Sequence, residues 1–363
     1  MTLAPKFPRS RARPACTMNV IELTRKLIDI PSVTGEEKLV GLFLKSHLEE
    51  LGYVVEMQEV EKDRFNVFAT TGAWPRVVLS THLDTVPPHI VSSENEEKIF
   101  GRGACDAKGI IAAQIVAAER LREEGAREIG MLFTVDEEQG SLGAQVANKK
   151  NLAKPPEYLI NGEPTDNKLA SATKGSLRLK LRAKGRAAHS AYPEQGESAI
   201  EKLLDVLESV RKCQWPSDRL LGETTCNIGV IGGGTRANVV PEEAYAYLQM
   251  RLVSTAGAVK SILENAIAGR AQVEYSSEHE PIHLQTIDGF EPCLVRFTTD
   301  IPYLSKWGTP LLLGPGSILN AHTDHEFVEK RELTRAVDLY AKLARALLAR
   351  EPRARQTVEG ASR

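Results

Sequence analysis

Short apolar segments that run into a carboxylate or an imidazole recur along this chain, and that pattern restricts its fold more than any other feature. Val77–Ser80 leads into His82-Leu83-Asp84, Met131–Val135 into Asp136-Glu137-Glu138, and Tyr158–Ile160 into Asn161-Gly162-Glu163. Pro310–Leu313 leads into a glycine-rich turn, Gly314-Pro315-Gly316-Ser317, and then Ala321-His322. Continuous apolar runs read as strands buried on both faces. Further strand-like runs are Tyr53–Val60 and Phe65–Thr70. Helical segments alternate with them: Gly109–Glu124, closed by Gly125, and a long final helix over Glu326–Leu348. Thr34-Gly35-Glu36-Glu37 reads as a capping box opening a helix through Leu39, Phe43, Leu44, Leu48 and Leu51. Alternation of this kind predicts an α/β fold with a mostly parallel central sheet.

The pattern changes near Lys174. Ser176–Arg182 alternates like a half-buried strand, and Glu197–Lys212 is an amphipathic helix. Strands over Cys226–Ile231 and Ala244–Leu252, a helix over Ala256–Ala268 and a strand over Ala271–Tyr275 follow. That order, β-α-β-β-α-β, is ferredoxin-like. The expected organisation is a larger domain over residues 18–173 and 281–350, with an α+β domain over 174–280 inserted into it. Residues 1–17, basic and proline-bearing, and 351–363 are expected to be disordered tails.

Composition excludes several functions. Lys and Arg number 46 against 48 Asp and Glu, so the net charge of −2 argues against binding nucleic acid through its phosphates. The most apolar helical stretch, Ile110 to Ala118, is interrupted by Gln114 and falls far short of the roughly 18 residues of a membrane span. The five cysteines are scattered, odd in number and without a C-x-x-C, which fits a reducing, cytoplasmic setting.

The chemistry sits at the strand ends. In an extended segment residues two apart point the same way, so Asp84 can orient or polarise His82 in the manner of a carboxylate–histidine–metal arrangement. The loop Gly101-Arg-Gly-Ala-Cys-Asp-Ala-Lys-Gly109 lacks both phosphate-loop registers and carries an acid that would repel phosphate. It reads better as a loop aiming Asp106 inward, with Cys105 a packing thiol. Three consecutive acids at Asp136–Glu138 are costly unless something positive neutralises them. A lone H-x-D or an acidic turn is common without function. Five such segments on one sheet, supplying His82, Asp106, Glu137, Glu138, Glu163 and His322, suit an open catalytic site for zinc, cobalt or manganese.

Six motifs in order carry a resemblance: Ser80-Thr-His-Leu-Asp-Thr-Val-Pro87, Gly101–Gly109, Asp136-Glu-Glu138, Asn161-Gly-Glu-Pro-Thr165, Gly185-Arg-Ala-Ala-His-Ser-Ala-Tyr-Pro193 and Ala321-His322. From about Met18 to Ala349 the chain resembles the M20 family of di-zinc amidohydrolases and peptidases, especially its acetylornithine deacetylase / succinyl-diaminopimelate desuccinylase branch. The resemblance implies a zinc-exopeptidase-like catalytic domain and an inserted ferredoxin-like domain that builds a homodimer. It implies two divalent ions per subunit, most simply zinc. His82 and Glu163 would hold one, Glu138 and His322 the other, and Asp106 would bridge. Asp84 would support His82, and Glu137 would be the general base. His189 would reach the partner subunit's site and stabilise the oxyanion. Arg251, Asn238, Gly316 and Ser317 match holders of the substrate carboxylate. His325 is the alternative to His322, and His89 is expected to be a loop residue near the cleft.

The expected function is hydrolysis of the amide of an N-acyl amino acid in the cytoplasm, with neither membrane nor nucleic acid as partner. A metallo-exopeptidase with the same site is the alternative. A non-catalytic binder of this fold is disfavoured because all five ligand positions and Glu137 are filled.

Overall fold

The computed structural model describes residues 19–352 apart from 151 and 153. The expected tails therefore lie outside the described residues, Glu351 and Pro352 excepted.

The central sheet runs in the order Val54–Glu61, Arg64–Thr70, Ile129–Thr134, Val77–His82, Tyr158–Asn161, Thr309–Leu312. The last four strands are parallel to one another. The first two form an antiparallel hairpin that also joins Ile129–Thr134 antiparallel, so the sheet is mixed at that edge. Only Lys62 and Asp63 separate the two hairpin strands, too few for the crossover a parallel pair needs.

Strand pleating divides the apolar runs between two cores. Val77, Leu79, Met131, Phe133, Tyr158 and Ile160 face one side, against the helices Val20–Asp29, Lys38–Glu50, Lys108–Glu123 and Lys330–Leu348. Val78, Leu132 and Leu159 face the other, against Phe68, Trp307 and the helix Leu142–Lys149. A strand buried on both faces has no polar alternation left, which is why these segments read as continuous runs.

Two local expectations are corrected. The helix expected to be capped by Thr34 begins at Lys38 with Glu37 in the cap position and no side-chain cap. Glu37 instead forms a buried ion pair with Arg64 at 2.6 Å, and the Thr34 hydroxyl donates to Asp84. The final helix begins at Lys330, not Glu326, because Phe327–Glu329 pairs as a strand with Lys98–Phe100.

The inserted unit is a four-stranded antiparallel sheet in the order Thr225–Gly233, Glu243–Leu252, Gly175–Lys184, Gln272–His279. Its helices Ala199–Arg211 and Ala256–Ile267 cover one face, burying Leu177, Leu179, Leu181, Ala246, Leu248 and Met250. The opposite face keeps Arg178, Tyr245, Tyr247, Gln249 and Arg251. A small sheet of Leu169–Thr173, Ile282–His283 and Pro292–Val295 lies where the chain leaves and re-enters the larger domain. Among the described residues the cysteines Cys105, Cys213, Cys226 and Cys293 are all unpaired, and no helix is long and apolar enough to cross a membrane.

Candidate metal centre

Asp106 lies at the hub of the acid–histidine cluster. Its Oδ1 is 3.0 Å from His82 Nε2, and its Oδ2 is 3.3 Å from His322 Nε2. His322 Nε2 is also 3.0 Å from Glu138 Oε1. The donor atoms of His82, Asp106 and Glu163 lie within 4.8 Å of one another, as do those of Asp106, Glu138 and His322. The five expected ligand residues thus converge as two triads sharing Asp106.

Each strand end does its part differently. The loop carrying Asp106 is held from behind by Glu326, whose carboxylate accepts from the backbone N–H of Cys105 at 3.1 Å and of Asp106 at 3.2 Å. Arg102 neutralises Glu326 at 2.9 Å. The N–H groups that a phosphate loop would aim at a ligand are here spent on a buried carboxylate. Gly109, in the first turn of the following helix, leaves no room for a side chain, since a Cβ there would meet Ala104 O at 2.3 Å.

Asp84 does more than expected, and partly something else. His82 Nδ1 donates to the Asp84 backbone carbonyl at 2.9 Å, whereas the Asp84 carboxylate stands 3.6 Å away. That carboxylate accepts from Thr34 Oγ1 at 2.9 Å, Glu137 N at 3.0 Å and Glu138 N at 3.2 Å. It ties the acidic turn to the strand bearing His82. Within that turn, Asp136 is neutralised by Arg64 at 2.8 Å and Glu138 by His322, while Glu137 lines the cavity. This division answers how three consecutive acids are tolerated.

The cavity, about 370 Å³, is lined by Asp106, Glu137, Glu138, Glu163, His322 and Arg251 among others. Burial and neighbouring carboxylates push Glu137 and Glu163 well above the usual carboxylate range. Burial also raises Glu138, against the pull of His322. Hydrogen bonds from His322 and His82 hold Asp106 below its ordinary value despite its burial. Asp106 and Glu138 raise His322 to about 10. Glu163 Oε1 is buried without a hydrogen-bond partner. Carboxylates crowded and desolvated like this are the surroundings a divalent cation relieves. The donors are all oxygen and imidazole nitrogen, a set suited to zinc, cobalt or manganese.

Other expected residues are placed less centrally. His189 is exposed on the short strand Ala188–His189, paired with Val239–Val240, and Asn238 is exposed beside it. Neither lines the cavity. Gly316 and Ser317 shape the turn rather than line it: Gly316 has a φ of 80° and lies against Cys105, and the next residue, Ile318, reaches the cavity. His325 is exposed and belongs to neither triad. Burial and the Glu326 carboxylate push the Cys105 thiol well up, as suits a packing residue.

Sequence reasoning missed Glu326, Arg64, Lys108, Asp300 and Arg178. Lys108 is fully buried with Nζ donating to Ile30 O at 2.6 Å, and burial lowers it to about 7. Asp300 accepts from Thr134 Oγ1 at 2.7 Å near Glu137, and burial raises it to about 6. Lys108 lies within the Gly101–Gly109 motif and Glu326 just beyond His322, so both offered a signal; Arg64, Asp300 and Arg178 did not.

The sequence model described as "Peptidase family M20/M25/M40" matches residues 78–346. The chain belongs to this family. A "Peptidase M20 domain-containing protein" of Schizosaccharomyces pombe is 39% identical over 337 residues, covering 90% of this chain and 84% of that one. A "Probable carboxypeptidase" of Aspergillus terreus is 38% identical over 369 residues, covering 89% of this chain and 85% of its own. The crystal structure of an aminopeptidase from Bacillus cereus shares the fold with a TM-score of 0.74 at 21% identity, over 92% of this chain and 99% of that one.

Proposed function

We propose that this M20-family chain is a metal-dependent carboxypeptidase, hydrolysing the amide bond beside a free carboxylate and releasing the carboxyl-terminal residue. The observation that carries this reading is Arg251. Its guanidinium lines the cavity of the acid–histidine cluster, and its Nη1 is buried without a hydrogen-bond partner. Burial and the nearby Arg178 both lower it, and no carboxylate offsets them. A guanidinium so placed calls for an anion, and a chain-end carboxylate fits its fork as a lysine could not. The fold alone does not decide which peptide end is cut, since one fold neighbour is an aminopeptidase and another a metallo-carboxypeptidase. The name of the Aspergillus relative supports the carboxyl end.

The relatives favour the exopeptidase alternative over the deacetylase branch expected from the motifs. The chemistry is shared: an N-acyl amino acid also presents an amide beside a free carboxylate. The two readings differ in the acyl group accepted.

In this proposal His82 and Glu163 would hold one divalent cation, Glu138 and His322 the other, and Asp106 both. When bound, the cations supply Lewis-acid polarisation of the scissile carbonyl and stabilise its developing negative charge. Glu137 takes the proton of the attacking water and returns it to the leaving amine, with Asp84 fixing the turn that carries it. His189 and Asn238, exposed and away from the cavity of their own chain, would serve the site of a second copy. The exposed edge strand Thr225–Gly233, with Val230 and Ile231, supports a homodimer through the inserted unit.

The test is amine release by the full chain with added zinc, cobalt or manganese from N-acetyl amino acids, N-acetyl dipeptides and free dipeptides. Preferred release of the last residue of N-acetyl dipeptides, reduced about 100- to 10,000-fold by Glu137→Gln, is expected. Turnover confined to N-acetyl amino acids would restore the deacylase reading. Full activity in Glu137→Gln would remove the base assignment.

A further inference from the structure

Arg251 is not the only unpaired guanidinium at the cleft. On neighbouring strands Arg251 stands opposite Ser176, and Gln249 opposite Arg178. Arg178 and Arg251 are therefore diagonal neighbours on one face of the sheet. Arg178 Nε donates to Gln249 Oε1 at 2.7 Å, and Gln249 Nε2 donates to Ser176 Oγ at 2.8 Å. This chain orients the guanidinium and leaves its two terminal nitrogens for a ligand. Among the described residues neither arginine forms an ion pair with an acid.

Arg178 also lines a second cavity, of about 360 Å³, that reaches Ser276, Ser277, His279 and Tyr303. The two cavities share Glu137, Glu138, Arg178 and Thr298, so they meet at the acid–histidine centre. No aliphatic side chain lines the second one, so it offers an apolar residue nothing to pack against. Its charged or titratable members are Arg178, His279, Tyr303 and the two shared acids, of which Glu138 is turned to His322. One substrate carboxylate would leave one of the two cations unpaired; two carboxylates balance both.

We infer that Arg178 and this cavity form a second anion subsite, which takes the side-chain carboxylate of an acidic carboxyl-terminal residue while Arg251 takes its main-chain carboxylate. The preferred substrates are then chains ending in glutamate or aspartate. This rests on the carboxypeptidase reading, but the subsite is testable without turnover.

Binding of N-acetylglutamate and N-acetylglutamine to the zinc-supplemented full chain is measured by calorimetry. The kcat/KM for N-acetyl-Ala-Glu and N-acetyl-Ala-Gln is measured alongside. A charged pair to an oriented guanidinium predicts a preference for the acid on the order of 10- to 100-fold. Arg178→Gln should collapse that ratio toward one. Arg178→Glu should shift preference to a further peptide, N-acetyl-Ala-Lys, a gain that a misfolded variant cannot give. Equal binding of acid and amide by the wild-type chain overturns the subsite, whatever the turnover. So does a ratio that survives in a folded Arg178→Gln. A binding preference with no peptide turnover keeps the subsite and removes the carboxypeptidase reading.

Discussion

Asp84→Asn separates an anchor of the acidic turn from a partner of His82. The carboxylate accepts three hydrogen bonds, from Thr34 Oγ1, Glu137 N and Glu138 N, at 2.9, 3.0 and 3.2 Å. Asparagine offers one acceptor oxygen and one NH₂. The Thr34 hydroxyl can turn to accept from that NH₂, but one of the two backbone N–H groups cannot be satisfied. An orphaned buried donor costs about 1–3 kcal/mol. Expressed in positioning of Glu137 at the transition state, that is about a 5- to 150-fold loss of kcat/KM. Thr34→Ala removes one bond and leaves both backbone donors paired, so its loss should be the smaller. The assay is steady-state kinetics on one peptide at saturating metal, with circular dichroism to confirm folding. Wild-type kcat/KM in a folded Asp84→Asn, or an equal loss in Thr34→Ala, would refute the anchoring role.

Two further outcomes follow from the charges. His322 has its proton affinity raised from 6.5 to about 10, so its stabilising contribution is complete below about pH 6.5 and is lost as pH rises toward 10. Glu137 and Glu163 are raised as well, so they too cost the metal-free fold stability as pH climbs past their ordinary 4.5. The melting temperature of chelator-stripped protein should therefore fall between about pH 6 and about pH 9 while metal-loaded protein holds, since cation binding strengthens as its ligands deprotonate; a gap that does not widen with pH contradicts this. Arg64→Met leaves Glu37 and Asp136 as buried, unpaired acids and should destabilise the chain by about 3–5 kcal/mol in urea unfolding, against less than about 1 kcal/mol for the exposed pair variant Lys45→Met.

The sequence carried the site better than its supports. Strand runs such as Val77–Ser80 and Met131–Val135 were legible because burial on both faces leaves no polar interruption, and their polar ends stand out. The inserted unit was legible because one covered face enforces alternation, as in Glu243–Leu252. The helix Val20–Asp29 was missed although Val20, Leu23, Leu27 and Ile28 repeat at helical spacing, since it directly follows the basic segment. The capping box failed because Thr34 and Glu37 find stronger partners in Asp84 and Arg64, which are distant in sequence. Glu326 looked like a helix start because its partner Arg102 lies more than two hundred residues away. Arg178 gave no signal at all: alternation placed it on the uncovered face, and only the joining of the two domains makes that face the wall of a cleft.

In the proposed reaction a metal-dependent cut is directed by a free chain-end carboxylate. It is tested most directly by comparing N-acetyl-Ala-Glu with its carboxyl-terminal amide, each with and without chelator. Cleavage of the free acid, abolished by chelation and restored by a divalent cation, with the amide untouched, is expected. Comparable cleavage of the amide, or cleavage that survives metal removal, would contradict it.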